Sequence, residues 1–261
     1  MRMVVCMKAV PSTTEVRMDP KTNTIVRDGR QSVVNPFDTA ALEVALELKE
    51  RLGGTVRALS MGIPDTARLL RDAIARGVDS ATLLSDRAFA GADTLATSYA
   101  LSLALGEGGE RPDLVLCGKM AVDGDTAQIG PELAGIMGVP CVAGVSEVID
   151  ASEGSLVVRR DTDEGTETVE VPLPAVITVT KDIATLRMPS IAGVRAGEAA
   201  EVEVLGAVAA GADRARCGLD GSPTQVVRSF VPERSNEAVE LEGSVCEQAA
   251  GLLRVIEEVA R

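Results

Sequence analysis

The chain has 261 residues, 39 acidic against 26 basic, a formal net charge of −13 and no histidine. That acidity argues against nucleic acid or an anionic membrane surface as the main partner, and without histidine there is no Ser-His-Asp or Cys-His constellation and no usual metal ligand. With no Trp, one Tyr and three Phe, the core must be built from Ala, Val, Leu and Ile, which suits a buried parallel sheet covered by helices.

In chain order, Met3 to Val10 reads as a first buried strand, apolar on both faces at Val4-Val5-Cys6-Met7 and closed by Pro11. Lys8 falls at the strand's carboxyl end, where open α/β sheets place their ligands. Residues 12–34 read as a hairpin excursion: Val16 and Met18 alternate with polar neighbours, Asp19-Pro20 turns, and Thr24-Ile25-Val26 returns. Asn35-Pro36-Phe37-Asp38 opens a helix, with Asn as N-cap, Pro at the first position and a carboxylate in the first turn. Its free N–H groups also face outward, where a ligand could meet them. The helix runs through Ala41, Leu42, Ala45, Leu46 and Leu48 to Gly53-Gly54. Val56 to Met61 is a second strand ending in Ser60-Met61-Gly62, and Pro64 opens a helix that stops at Gly77. Ala81 to Leu84 is a third strand, followed by Ser85-Asp86-Arg87 and Gly91-Ala92-Asp93-Thr94, where Asp93 caps a helix carrying Tyr99 and Leu103. Leu114 to Cys117 is a fourth strand.

The stretch from Gly118 to Pro131 then follows a strand and leads into a helix pattern at Leu133 to Met137, the layout that offers backbone N–H groups to a phosphate. Glycines at 118, 124 and 130 permit close backbone approach, and Asp123, Asp125, Thr126 and Gln128 could hydrogen-bond a ribose, an adenine edge or a ribityl chain. The bland alternative is a Gly-rich βα turn with a helix cap, and taken alone the loop favours nucleotide binding only modestly. Asp123 and Asp125 could hold Mg²⁺ beside a phosphate, but such acids more often cap helices, and no metal is predicted. There is no G-x-G-x-x-G after the first strand and no Walker A loop. Strands alternating with helices imply a doubly wound, mostly parallel α/β sheet whose strand-end loops converge on one crevice, and that convergence raises the nucleotide reading.

From Cys141 the pattern changes to antiparallel strands at Ser146–Ile149, Leu156–Arg160 and Thr168–Val171, with a further buried strand at Pro174–Thr180. Beyond Pro189 the globular rhythm fades. Residues 1–197 read as an α/β nucleotide-binding body and 198–261 as an arm, whose final helix, Val245 to Val259, carries the stripe Ala249, Leu252, Leu253, Ile256 and Val259 for a partner subunit or the body. Five scattered cysteines without a C-x-x-C pair suggest reduced thiols, and no stretch resembles a signal peptide or a membrane span, so a cytoplasmic protein is expected. Redox chemistry, if present, must come from a cofactor.

These residues resemble the β subunit of electron transfer flavoprotein over nearly the whole chain. The resemblance is carried by Val5-Cys6-Met7-Lys8, Asn35-Pro36-Phe37-Asp38, Ser60-Met61-Gly62, Gly118-Lys119-Met120-Ala121-Val122-Asp123, Leu173-Pro174-Ala175-Val176 and Gly221-Ser222-Pro223-Thr224. It implies an adenine-nucleotide α-hydrolase-like sheet and a C-terminal arm against an α subunit. Conventional members hold AMP in the crevice; electron-bifurcating members hold a second FAD there and oxidise NADH. The chain is similar to the second group in Asp123-Gly124-Asp125-Thr126-Ala127-Gln128-Ile129-Gly130-Pro131 and in Leu84-Ser85-Asp86-Arg87 followed by Gly91-Ala92-Asp93-Thr94-Leu95-Ala96-Thr97.

The cofactor contacts so implied come from Cys6 and Lys8, from Asn35 to Asp38, from Ser60 to Gly62, from Ser85 to Arg87, from Asp93, Thr94 and Thr97, and from Gly118 through Ile129. The flavin carries the chemistry, and no side chain is assigned as catalytic. Two departures stand out: Leu186 before Arg187, where such chains commonly have Pro, and Met120 in place of the usual Gln. The implied function is hydride acceptance from NADH and division of electrons. One branch runs to the α-subunit FAD and an acyl-CoA dehydrogenase-type acceptor, the other to ferredoxin or flavodoxin. The alternatives are a conventional carrier with structural AMP and a non-redox nucleotide-binding protein.

Overall fold

The computed structural model describes residues 1–12, 32–106, 111–227 and 240–259. Its elements in chain order are β1 (Arg2–Cys6), β2 (Ala9–Pro11), β3 (Ser32–Val34), α1 (Pro36–Leu52), β4 (Thr55–Met61), α2 (Ala67–Ala75), β5 (Ser80–Leu84), α3 (Thr94–Leu105), β6 (Leu114–Gly118), α4 (Ile129–Met137), β7 (Cys141–Ala151), β8 (Ser155–Thr162), β9 (Gly165–Pro172), β10 (Ala175–Val179), α5 (Ile191–Ala199), β11 (Glu203–Leu205) and α6 (Val245–Val259). Among the described residues nine strands form one sheet in the order β11-β5-β4-β1-β6-β10-β7-β8-β9, and β2 pairs with β3 apart from it. All pairings from β11 to β7 are parallel; β7-β8 and β8-β9 are antiparallel. The chain is thus the doubly wound, mostly parallel α/β protein expected.

Small aliphatic side chains make this possible, because alternate residues of each central strand enter different cores. Met3, Val5, Leu114, Leu116 and Ile177 pack with α1 and α2, whereas Val4, Cys6, Val115, Cys117 and Val176 pack with α3 and α4. On the outer side α5 lies on α2 at backbone contact: a Cβ on Gly193 would sit 2.2 Å from the Ala75 carbonyl oxygen, and one on Gly197 2.5 Å from that of Arg71.

Several expectations are corrected. The first strand does not continue to Val10. It ends at Cys6, because the Lys8 amide is taken by the Asp38 carboxylate, and Ala9–Pro11 turns away to pair antiparallel with Ser32–Val34. The predicted interior of that excursion, at Val16, Met18, Asp19-Pro20 and Thr24–Val26, lies outside the described residues. The antiparallel strands extend the main sheet as expected, and β10 returns between β6 and β7 to join them to it. After Pro189 the chain keeps its order: α5 forms, β11 pairs with β5, and one compact unit spans Met1–Val227. The stretch from 198 to 227, read from sequence as the start of an arm, lies within that unit.

Around the unusual Leu186, the local turn is held by Glu43, which accepts from the Arg187 amide at 2.9 Å and pairs with its guanidinium at 2.8 Å. The second unit, Arg228–Arg261, contains α6, on which Leu252, Leu253, Ile256 and Val259 are exposed. No helix among the described residues is long and apolar enough to cross a membrane.

Candidate functional site

From β1 the chain winds outward to β4 and β5, then crosses back to β6 on β1's other side. The carboxyl ends of β1 and β6 therefore flank a topological switch point, the place where open α/β sheets form a ligand crevice. The loops leaving these two strands are tied together there. Asp38, buried in the first turn of α1, accepts from the Lys8 amide at 2.8 Å and from the Gly118 amide at 3.0 Å. Asn35 donates from Nδ2 to the Met120 carbonyl (2.9 Å) and accepts the Val122 amide on Oδ1 (3.2 Å). Farther out, Lys8 Nζ reaches Asp123 Oδ1 at 2.6 Å. Burial pushes the Asp38 carboxyl up to about 7 against the pull of the Lys8 and Gly118 amides, of the neighbouring Asn35 side chain and of the Lys8 charge.

Beyond this anchor, residues 122–128 are exposed. Asp125 (φ 49°) and Ala127 (φ 54°) adopt left-handed backbone, and Gln128 returns to the right-handed region before α4 begins. Such alternation turns successive amides to one side, as in anion-binding nests. The amides of Thr126, Ala127, Gln128, Ile129 and Gly130 find no acceptor among the described residues. Pro131 falls in the first turn of α4, where its missing N–H costs nothing and causes no kink. Gly118 is required for a different reason: its Cβ would lie 2.4 Å from Asp38 Oδ1 and 2.5 Å from Phe37 Cβ.

The other predicted loops divide into two kinds. Ser60, fully buried near the carboxyl end of β4, has an Oγ with no hydrogen-bond partner among the described residues. Half-buried Met61 and Gly62 follow it, the Gly62 amide donating to Leu84. Arg87 and Lys119 are exposed and form no ion pair among the described residues, although acids outnumber bases in the chain. The Ser85, Thr97, Asp125 and Thr126 side chains make no hydrogen bond there either. By contrast, the Asp86 carboxylate accepts from the Ala88 and Ala207 amides, which hold it below the usual carboxylate range. Asp93 accepts from Ala96 at the start of α3 and from the amide and hydroxyl of Thr224. Burial works to raise this carboxyl, but those hydrogen bonds and Ser222 hold it low. Cys6 and Phe37 are buried, and Pro36 is exposed.

Local reading had no signal for Glu132, which accepts from Thr94 at 2.9 Å and Ser98 at 2.8 Å and so joins α4 to α3 beside Gln128. It also missed what Ser222 and Thr224 do, although both lie in a quoted motif. Both hold Asp93 at the start of α3 from more than a hundred residues away, Ser222 Oγ accepting its amide and Thr224 donating to its carboxylate.

Fold and crevice together define a doubly wound α/β protein whose sheet switch point offers unpaired backbone amides. Comparison with known proteins makes this specific: the description "Electron transfer flavoprotein domain" matches residues 22–210. The electron transfer flavoprotein subunit beta of Thermoanaerobacterium thermosaccharolyticum is 41% identical over 254 residues, covering 97% of this chain and 96% of that one. Subunit CarD of the caffeyl-CoA reductase-Etf complex of Acetobacterium woodii is 40% identical over 254 residues, with the same coverage. Protein FixA of Azorhizobium caulinodans is 40% identical over 263 residues, covering 98% and 94%. The chain belongs to the electron transfer flavoprotein family, as a β subunit.

Proposed function

We propose that the chain is the β subunit of a bifurcating electron transfer flavoprotein, with FAD in the crevice between the β1 and β6 loops. The observation that carries this reading is the run of unpaired amides from Thr126 to Gly130, set on a loop that Asn35, Asp38 and Lys8 hold over the switch point. The pyrophosphate would lie on those amides, with Lys119 and Arg87 supplying positive charge. The Ser60 hydroxyl, buried without a partner and therefore costly, and the uncommitted side chains of Thr97, Asp125 and Thr126 suit the hydroxyl-rich ribityl and ribose groups. Asp86 and Asp93, already engaged by backbone, would shape the loops and leave ligand contact to their neighbours.

Bound there, FAD supplies acceptance of hydride from NADH and one-electron transfer, one branch to the α-subunit FAD and an acyl-CoA dehydrogenase-type acceptor and the other to ferredoxin or flavodoxin. The protein's contribution is to bind, orient and exclude water. The names of the relatives support this reading, one belonging to a caffeyl-CoA reductase complex. The exposed apolar stripe of α6 is the surface proposed for the α subunit. Quantifying nucleotides released from the purified αβ complex tests the reading. Two FAD per heterodimer are expected; one FAD with one AMP would establish the conventional carrier, and a preparation without flavin absorbance the non-redox alternative.

A further inference from the structure

The carboxylate at the base of the crevice does more than start a helix. Asp38 divides its two oxygens between the loops on either side of the switch point, Oδ2 accepting from Lys8 and Oδ1 from Gly118. No side chain could intervene, since even a methyl group on Gly118 would collide with Oδ1. The same two loops meet again in the Lys8–Asp123 pair, and Asn35, one helical turn before Asp38, fastens Met120 and Val122. We propose that Asp38 is a positioning residue: its ionised carboxylate sets the separation of the Lys8 loop and the 118–128 loop, and with it the ligand affinity of the crevice, without touching the ligand.

Only the ionised carboxylate accepts both amides at full strength. Protonation turns one oxygen into an O–H donor and a poor acceptor facing an amide donor, which loosens one side of the clamp. Burial places that change near neutral pH. The groups facing Asp38 are few. Lys8 approaches from the loop after β1 and is itself paired with Asp123. The Cys117 thiol approaches from β6; its hydrogen bond with Cys6 on the neighbouring strand, and then burial, keep it protonated. The chain has no histidine, so the usual titrating side chain of the neutral range is missing from the background.

The inference rests on the crevice being the nucleotide site, and two measurements on the full chain separate the two claims. In the first, the amide resonances of Lys8 and Gly118 are followed by NMR without ligand from pH 5.5 to 8.5. They are expected to move together with a midpoint near 7, and to stay still in Asp38→Asn. Amides that do not titrate in the wild type overturn the proposal, and this arm needs no variant to fold. In the second, binding of FAD and of AMP is titrated over the same range. FAD has a pyrophosphate of constant charge here, and any ionisation of AMP is common to wild type and variant. If only the ionised clamp is competent, affinity at pH 5.5 should be about thirty-fold below that at pH 8, and Asp38→Asn should be weak and flat with pH. Titrating amides with pH-independent affinity in the wild type would overturn the positioning role. Failure of both nucleotides to bind at any pH would instead remove the nucleotide reading of the crevice, and the amide titration would still decide the clamp.

Discussion

Helices α1 and α3 begin with the same local grammar, a side-chain acceptor followed by an apolar run, and use it in opposite ways. Asp93 caps its own helix, accepting from Ala96 at 3.0 Å. Asn35 makes no cap, and both ends of its amide side chain go to the 120–122 backbone. The reason lies in the backbone beside it. Pro36 has no N–H to satisfy, and the Asn35 carbonyl already accepts from Asp38 and Thr39, so α1 loses little by releasing the side chain. Residues Met120 and Val122 belong to no regular element and have no comparable local partner. A capping residue goes to the amides in greatest need, and these can be distant in sequence.

The aspartates of the two helix starts should separate most in their pH dependence. Asp38 has a folded pKa raised from 3.8 to about 7. Its favourable contribution is complete below about pH 4, is lost as pH rises to 7, and changes no further above that, because the native state holds the proton longer than the unfolded chain. The full effect is on the order of 4 kcal/mol, and urea midpoints from pH 4.5 to 8 should show that slope in the wild type and not in Asp38→Asn. Asp93 is depressed, so its contribution has the opposite sign, present above the ordinary carboxylate range and lost as pH falls through its folded value. The cost of keeping Asp38 ionised is a local example of stability given up where a site needs a charge.

A second test contrasts two glycines of one loop. Gly118→Ala forces a Cβ against Asp38 and Phe37, whereas a Cβ on Gly124 meets nothing within 4 Å. Overpacking of this kind costs about 3 kcal/mol, so Gly118→Ala should lower the chemical denaturation midpoint clearly while Gly124→Ala stays within error. Comparable midpoints for the two would refute the close approach. Smaller again, Asn35→Ala leaves a Val122 amide and a Met120 carbonyl without partners, at about 2 kcal/mol. Asp93→Ala removes a cap worth about 1 kcal/mol together with its exposed bonds to Thr224, and thermal unfolding of the two variants is expected to rank Asn35→Ala as the more damaging. Smallest is Asp123→Asn. With Lys8 43% exposed, the pair should contribute under about 1 kcal/mol and fade in high salt, while hydrogen exchange in the 118–128 loop should still quicken.

How far these features were legible depends on the range of the interaction behind them. The extents of α1, α3, α6 and β4 follow from apolar periodicity and from the residues that start and stop them, which act within a few positions. The crevice loops were likewise legible as a set, because every parallel strand delivers its following loop to the same edge. Asp93 as a cap was legible; its tie to Thr224 was not, and neither was the partner of Asn35. Between 198 and 227 the alternation at Val202 and Val204 was legible but its partner was not, because β11 is only Glu203–Leu205 and exists through its pairing with β5.

By itself, then, the amino-acid sequence determined the class of fold, the identity of the covering helices and the edge of the sheet to which the loops after the parallel strands are delivered. Composition and local pattern are sufficient for those, since burial on both faces demands small aliphatics and helix ends demand particular side chains. Only the tertiary structure decided that β10 enters between β6 and β7, that Ser60 is left without a partner, and that Asp38 holds two loops together from beneath. Each of these depends on which backbone groups remain unpaired after the sheet has assembled, and no stretch of sequence contains that information until its distant neighbours are in place.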